Sequence, residues 1–391
     1  MKEIALMGNI VLPDRVLEGG IVIVEEEKIA GVFSKDQLPQ VEGMVRHNYG
    51  ACYITPGLID LHLHGAMGKD VMDGSVEGLR EIASHQARCG VTGFVPTTLA
   101  APLPSVMNAV ESIRAAMTGP LPAEILGVYL EGPFLSRPKK GAQNPEFIRP
   151  VDPDDFTLIQ EMCRGFRTIV TIAPEVGDNL RFIRLFRDEG LVVSIGHSDA
   201  TYDLAIKSFE QGITHATHLY NAMSGFLPRE PGVIGAVLDS DRVTAELIAD
   251  GIHVHPAALR LAVRQKGVGR ICLVTDSMNA AGLGDGEYRV GGLDVMVRAG
   301  QARLKDGGAL VGSVLTLNKS VRNILQWTGL PVPQAVRMAS LNPARVLGLD
   351  GEIGSLEPGK LANLAVFDRD FNVVATILRG DAPRGATLPL P

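Results

Sequence analysis

The spacing of apolar positions changes twice along the chain. Over residues 1–53, short stretches of aliphatic and β-branched residues alternate with turns. Gly20-Ile21-Val22-Ile23-Val24 followed by Glu25-Glu26-Glu27-Lys28 is an example, and the texture predicts a small sheet. From Ile54 it becomes short continuous apolar runs, each followed by helical spacing such as that of residues 75–89 or 178–189. Eight such runs occur, at about 54–61, 93–97, 125–130, 168–173, 191–195, 213–217, 243–249 and 271–275. Runs this apolar predict strands buried on both faces, and eight of them separated by helices predict a closed parallel (β/α)8 barrel of the TIM type over 54–349. After residue 349 the turn-rich β texture returns, with Gly351-Glu352-Ile353-Gly354 leading into an alternating strand over 361–368. Residues 1–53 and 350–391 are therefore expected to pair into one small β-sandwich domain, and the fold class is α/β. The Pro/Gly-rich stretch 225–235 reads as a long loop on the active face.

Composition narrows the classes. With 46% hydrophobic and 21% charged residues the chain suits an ordered globular protein. A net charge of -7 with no basic run longer than Lys139-Lys140 argues against a nucleic-acid surface. Cys52, Cys89, Cys163 and Cys272 form no Cys-x-x-Cys pair, which favours reduced thiols in a cytoplasm. Met1-Lys2-Glu3-Ile4 lacks the basic start of a signal peptide, and no apolar run reaches the ~18 residues of a membrane helix. The expected setting is cytoplasmic, with no membrane partner.

Chemistry collects at the C-terminal ends of the runs, where a barrel carries its catalytic groups. The first run ends Asp60-Leu61-His62-Leu63-His64, and two histidines at spacing two point to the same side of a strand, so both imidazoles can face the mouth and share a cation. The third ends in Glu131 before a Gly132-Pro133 turn, the fifth in His197, the sixth in His218 and the eighth in Asp276. His215 and His218 lie three apart, so on a strand only one enters the barrel; His218, nearer the end, is the expected ligand, and His215 is expected to pack beneath a helix. His47 and His85 lie away from the strand ends and read as structural. Of His253 and His255 after the seventh run, His253 is the expected substrate contact and His255, before Pro256, a turn or supporting residue.

A divalent cation held by neutral imidazoles and a carboxylate lowers the pKa of bound water from ~15.7 to about 7, which is what amide hydrolysis at neutral pH needs. Asp276 is placed to take the water's proton and return it to the leaving nitrogen. No Gly-x-Ser-x-Gly elbow and no cysteine at a strand end beside a histidine offers a covalent alternative, and the Gly282–Gly286 stretch lacks the Gly-Lys-Ser/Thr of a nucleotide loop. Such a ligand set accepts zinc first, with iron(II), manganese(II) or cobalt(II) as alternatives.

The segment Pro56-Gly57-Leu58-Ile59-Asp60-Leu61-His62-Leu63-His64-Gly65 resembles the opening of the amidohydrolase superfamily. Leu130-Glu131-Gly132-Pro133-Phe134, Gly196-His197-Ser198-Asp199-Ala200, Thr217-His218-Leu219-Tyr220-Asn221-Ala222-Met223 and Val274-Thr275-Asp276 resemble its N-acetylglucosamine-6-phosphate deacetylase branch. The resemblance covers almost the whole chain. It implies that Glu131, His197 and His218 hold one metal and that His62 and His64 add a second, with Glu131 bridging. It further implies that Asp276 is the general acid/base and that His253 orients the substrate. Ala142, Gln143, Asn221, Ala222 and Arg229 would form the amino-sugar phosphate pocket, with Arg229 crossing from the neighbouring subunit of a homodimer. Arginine suits a phosphate because its planar fork donates paired hydrogen bonds.

One departure stands in Lys140-Gly141-Ala142-Gln143, where the branch often has histidine in the last place; glutamine keeps hydrogen bonding but cannot carry charge. The metal-bridging lysine of other superfamily members is missing from 168–175, which disfavours dihydroorotase and hydantoinase activities. The resemblance leaves the galactosamine epimer as a rival substrate. A catalytically inactive scaffold is the rival of another class, disfavoured because every ligand position is filled.

Overall fold

The computed structural model describes residues 3–37, 43–306 and 308–381. Eight parallel strands follow in chain order: Leu58–Leu63, Val91–Thr98, Val128–Glu131, Thr168–Ile172, Val192–Ile195, Ile213–Ala216, Thr244–Ile248 and Ile271–Val274. These are barrel strands one to eight. Each is followed by a helix, from Val76–Arg88 after strand one to Leu317–Thr328 after strand eight, as the alternating pattern predicts. Strand one begins at Leu58, not at Ile54. Residues 54–56 belong instead to Val45–Pro56, a strand of the small sheet that pairs with Leu364–Phe367. An apolar run cannot show where one sheet hands over to another.

Strands one and eight meet at their C-terminal ends, where the Asp276 N–H donates to the His62 carbonyl at 2.9 Å and Leu63 pairs with Ser277. Asp60 clamps the same seam: its carboxylate accepts from the Thr275 N–H at 3.1 Å and from the Thr275 hydroxyl at 2.6 Å. The strands are apolar on both faces because each face meets a core. Leu58, Phe94, Val128, Val170, Ile195 and Leu273 pack outward against the helices. Ile59, Leu61, Val95, Tyr129, Ile169, Ile248, Cys272 and Val274 fill the interior. The four cysteines are unpaired.

The two chain ends form one six-stranded sheet in the spatial order Val373–Ile377, Leu364–Phe367, Val45–Pro56, Glu3–Val11, Val16–Glu25, Lys28–Phe33. Ile4, Leu6, Ile10, Val22, Ile54, Leu364 and Val366 bury its own core. After strand eight the chain makes an antiparallel meander, Gly286–Val290, Leu293–Arg298 and Gln301–Leu304. Val290 of this meander and Val311 after it share one apolar cluster with Met278 beside the barrel mouth. No helix among the described residues is long and apolar enough to cross a membrane.

Candidate metal centre and active site

Two triads converge at the C-terminal mouth: His62, His64 and Asp276, and Glu131, His197 and His218, the possible ligand atoms of each triad lying within 4.8 Å of one another. His62 and His64 lie two apart at the end of strand one, where its pairing with strand two shifts register between Asp60 and Leu63. Glu131 closes strand three, and Gly132 after it takes a φ of +103°, where a Cβ would stand 2.9 Å from that of Ala100. His197, His218 and Asp276 each lie just beyond a strand end.

Glu131 stands between the triads. Its Oε1 lies 2.9 Å from His218 Nε2 and 3.1 Å from His197 Nε2, and its Oε2 lies 3.2 Å from His64 Nε2. Asp276 Oδ1 faces the other triad, 3.3 Å from His64 Nε2 and 3.5 Å from His62 Nε2. Gln143 is drawn into the same network. Its carbonyl oxygen accepts from the Ala100 N–H at 2.8 Å, so its amide nitrogen donates to Glu131 Oε2, also at 2.8 Å.

The outer nitrogens of three histidines settle which tautomer faces inward. His197 Nδ1 meets the Lys139 carbonyl at 2.8 Å, His64 Nδ1 the Thr97 carbonyl at 3.1 Å, and His62 Nδ1 the Glu246 carboxylate at 2.9 Å. Those oxygens only accept, so each Nδ1 carries a proton, and each ring, when neutral, turns an Nε2 lone pair inward. The inner nitrogens approach to 3.3 Å between His62 and His64 and to 3.1 Å between His197 and His218. Between His62 and His64, lone pairs facing one another at that separation repel unless a positive charge lies among them. This donor set therefore fits divalent cations, and its mix of imidazole and carboxylate does not choose among the transition metals.

Electrostatics lead to the same need for positive charge. Burial opposes ionisation of Glu131 and Asp276, yet the neighbouring histidines outweigh it and hold both carboxyls below their ordinary range. Burial likewise opposes charging His64, but bonds to Asp276 and Glu131 raise its pKa to about 9. A cluster that stabilises protons on its imidazoles to this degree is one whose carboxylates call for a cation.

A cavity of about 210 Å³ opens over these groups, with Asn221, Ala222, Ala142, Leu99, Leu310 and His253 in its wall. The His253 Nδ1 is held by Asp250 Oδ2 at 2.6 Å, which turns its chemistry toward Nε2. His255 caps the following helix, its ring accepting from the Ala257 N–H. Arg229 lies apart from this wall, in the exposed Leu227–Glu230 turn beside exposed Phe226 and Leu227. A larger cavity, about 440 Å³, lies among Leu126, Arg167, Leu349 and Arg379 and contains none of the converging imidazoles.

His215 corrects the sequence reading. It does not pack beneath a helix but lies in the barrel interior, its Nε2 3.1 Å from Glu246 Oε1 and its Nδ1 2.6 Å from Thr244 Oγ1. The parity argument fails because strand six ends at Ala216 and His218 lies past it at a φ of +29°, where strand alternation no longer applies. Glu246 itself was missed, as were Asp60 and Asp250. The available signal was a carboxylate inside an apolar run, Thr244-Ala245-Glu246-Leu247-Ile248, since a charge so placed needs dedicated partners.

Comparison with known proteins agrees with this geometry. Residues 53–382 match the Amidohydrolase family. An N-acetylglucosamine-6-phosphate deacetylase of Bacillus subtilis (strain 168) is 39% identical over 385 residues, covering 97% of this chain and 96% of the relative. An N-acetylgalactosamine-6-phosphate deacetylase of Escherichia coli O157:H7 is 40% identical over 329 residues, covering 84% and 86%. The crystal structure of N-acetylglucosamine-6-phosphate deacetylase from Pasteurella multocida superposes with a TM-score of 0.92 at 35% identity, covering 97% of this chain and 98% of that one. A fold, a double triad and a family match that extend over the same residues lead to one conclusion: the chain belongs to the amidohydrolase family.

Proposed function

We propose that this protein hydrolyses the acetamide of N-acetyl-D-glucosamine 6-phosphate to D-glucosamine 6-phosphate and acetate. The observation that carries the reading is Glu131 shared between two imidazole triads, with Asp276 across from it at the floor of a cavity. The relatives that match over nearly the full chain, named as deacetylases of this sugar phosphate, support the substrate class.

In this reading Glu131, His197 and His218 hold one cation and His62 and His64 a second, with zinc the first choice. Such a cation supplies Lewis acidity, acidifying water and polarising a carbonyl. Asp276, whose Oδ1 lies 3.3 Å from His64 Nε2 and 3.5 Å from His62 Nε2, takes a proton from the attacking water. As the carbon–nitrogen bond breaks it passes that proton to the nitrogen, so the amine and acetic acid leave, and the acid's remaining proton goes to the amine in solution to give acetate and an ammonium. His253, fixed through Asp250, orients the acetamide, while Ala142, Gln143, Asn221 and Ala222 line the sugar's place. Arg229 binds the phosphate of the neighbouring subunit's substrate in a homodimer; its exposure beside Phe226 and Leu227, away from its own chain's cavity, supports that role. Four unpaired cysteines support a reducing, cytoplasmic setting.

The Escherichia coli relative gives the galactosamine epimer a specific claim as a second reading. Acetate release from the two sugar phosphates, compared as kcat/KM, tests the proposal. Faster turnover of the glucosamine derivative is expected, and a preference for the galactosamine derivative would transfer the assignment to the epimer.

A further inference from the structure

Glu246 sits at the middle of strand seven with no exposure to solvent, in a run that is otherwise apolar or a neutral hydroxyl. An isolated buried carboxylate is costly, and every part of this one is engaged. Oε2 accepts from His62 Nδ1 at 2.9 Å and from the His218 backbone N–H at 2.9 Å. Oε1 faces His215 Nε2 at 3.1 Å. One oxygen atom thus holds a residue of each triad, His62 by its ring and His218 by its main chain.

The two contacts do different work. Without an acceptor at Nδ1, a neutral His62 is free to place its proton on Nε2, and that tautomer has no lone pair to offer inward. His218 has no ring partner of this kind: its Nδ1 is buried without a hydrogen bond. It also holds a φ of +29°, a conformation that costs a non-glycine residue energy unless something fixes it. The bond from its N–H to Glu246 supplies that restraint.

We infer that Glu246 is a positioning residue that locks the ligating tautomer of His62 and the backbone of His218 together, so that one carboxylate preorganises both triads for metal. The inference rests on the metal-dependent reading above and goes beyond it in making the two triads depend on one side chain. His215, bonded to Thr244 on its far side, steadies Glu246 in turn.

The test is zinc affinity of the full chain, measured by competition with a chromogenic chelator, for wild type, Glu246→Gln and Glu246→Leu. Glutamine still offers one oxygen but can also present N–H to His62, which removes the tautomer selection. Half-saturating free zinc is expected to rise about 10-fold in Glu246→Gln and about 100-fold in Glu246→Leu, the range for losing a partner of a metal ligand. Wild-type zinc affinity in a folded Glu246→Gln protein would overturn the inference. So would failure of Glu246→Gln to fold, which would make the carboxylate a folding determinant instead. Wild-type protein that takes up no zinc, iron(II), manganese(II) or cobalt(II) would defeat the metal-dependent reading itself, a different result from either.

Discussion

Three residues of the centre, His197 at φ +47°, His218 at +29° and Asp276 at +47°, adopt the left-handed region that side chains other than glycine rarely enter. Each such residue costs of order 1–3 kcal/mol, and they cluster where a strand end must turn a side chain back over the barrel mouth. Fixed backbone bonds sustain them, such as Asp276 N–H to the His62 carbonyl and His218 N–H to Glu246. For Asp276 the result is a carboxylate aimed at His62 and His64 and kept ionised. Asp276→Asn retains the size and part of the hydrogen bonding but removes the base. The variant is expected to fold and to keep metal at Glu131, His197 and His218, while kcat falls at least ~10²-fold, the lower range for a lost general acid/base. Steady-state kinetics beside metal content check this. Loss of metal would make Asp276 chiefly a ligand, and near-normal turnover would pass the proton transfer to another group, His253 first.

Among elements, the helix Val76–Arg88 carries a titration effect separate from the centre. Its last turn buries His85 against Cys89 and Gly282. Burial, reinforced by Arg88 and Lys319, lowers the His85 pKa to about 4 from an ordinary 6.5. Between those values the unfolded chain binds the proton more readily, so His85 leaves stability untouched above pH 6.5 and removes it progressively as pH falls toward 4, by up to about 3 kcal/mol. His85→Gln is expected to flatten that slope in urea denaturation midpoints taken from pH 7 to 4; a parallel slope in variant and wild type would remove His85 from the explanation. The strands and the polar residues that converge at their ends were legible because the barrel writes them twice, as apolar runs and as polar residues where each run stops. Elements whose logic lies across the barrel were not. Glu246 is explained only by His62 on strand one, His215 by Glu246, and the 286–304 meander by the wall it makes beside Met278. Residues 54–56 join the small sheet because Leu364–Phe367, some three hundred positions later, pairs with them.

For the whole molecule, the sheet made from both chain ends and the barrel share a continuous path through Val45–Pro56 into Leu58–Leu63, which anchors the strand that carries His62 and His64 on two cores. The exposed turn with Phe226, Leu227 and Arg229 is one feature that a single chain leaves unexplained. If Arg229 serves the partner's phosphate, Arg229→Ala raises KM for the phosphorylated sugar much more than for its unphosphorylated analogue, with the dimer intact by sedimentation. Equal losses on both substrates would assign the arginine to the subunit contact instead. Dependence of amide hydrolysis on a cation held by the two triads is measured by following acetate release from N-acetyl-D-glucosamine 6-phosphate while metal is stripped with a chelator and returned as zinc, with metal content measured on the same samples. Activity is expected to vanish with the metal and to return in step with zinc bound per chain. Full acetate release from metal-free protein would contradict it.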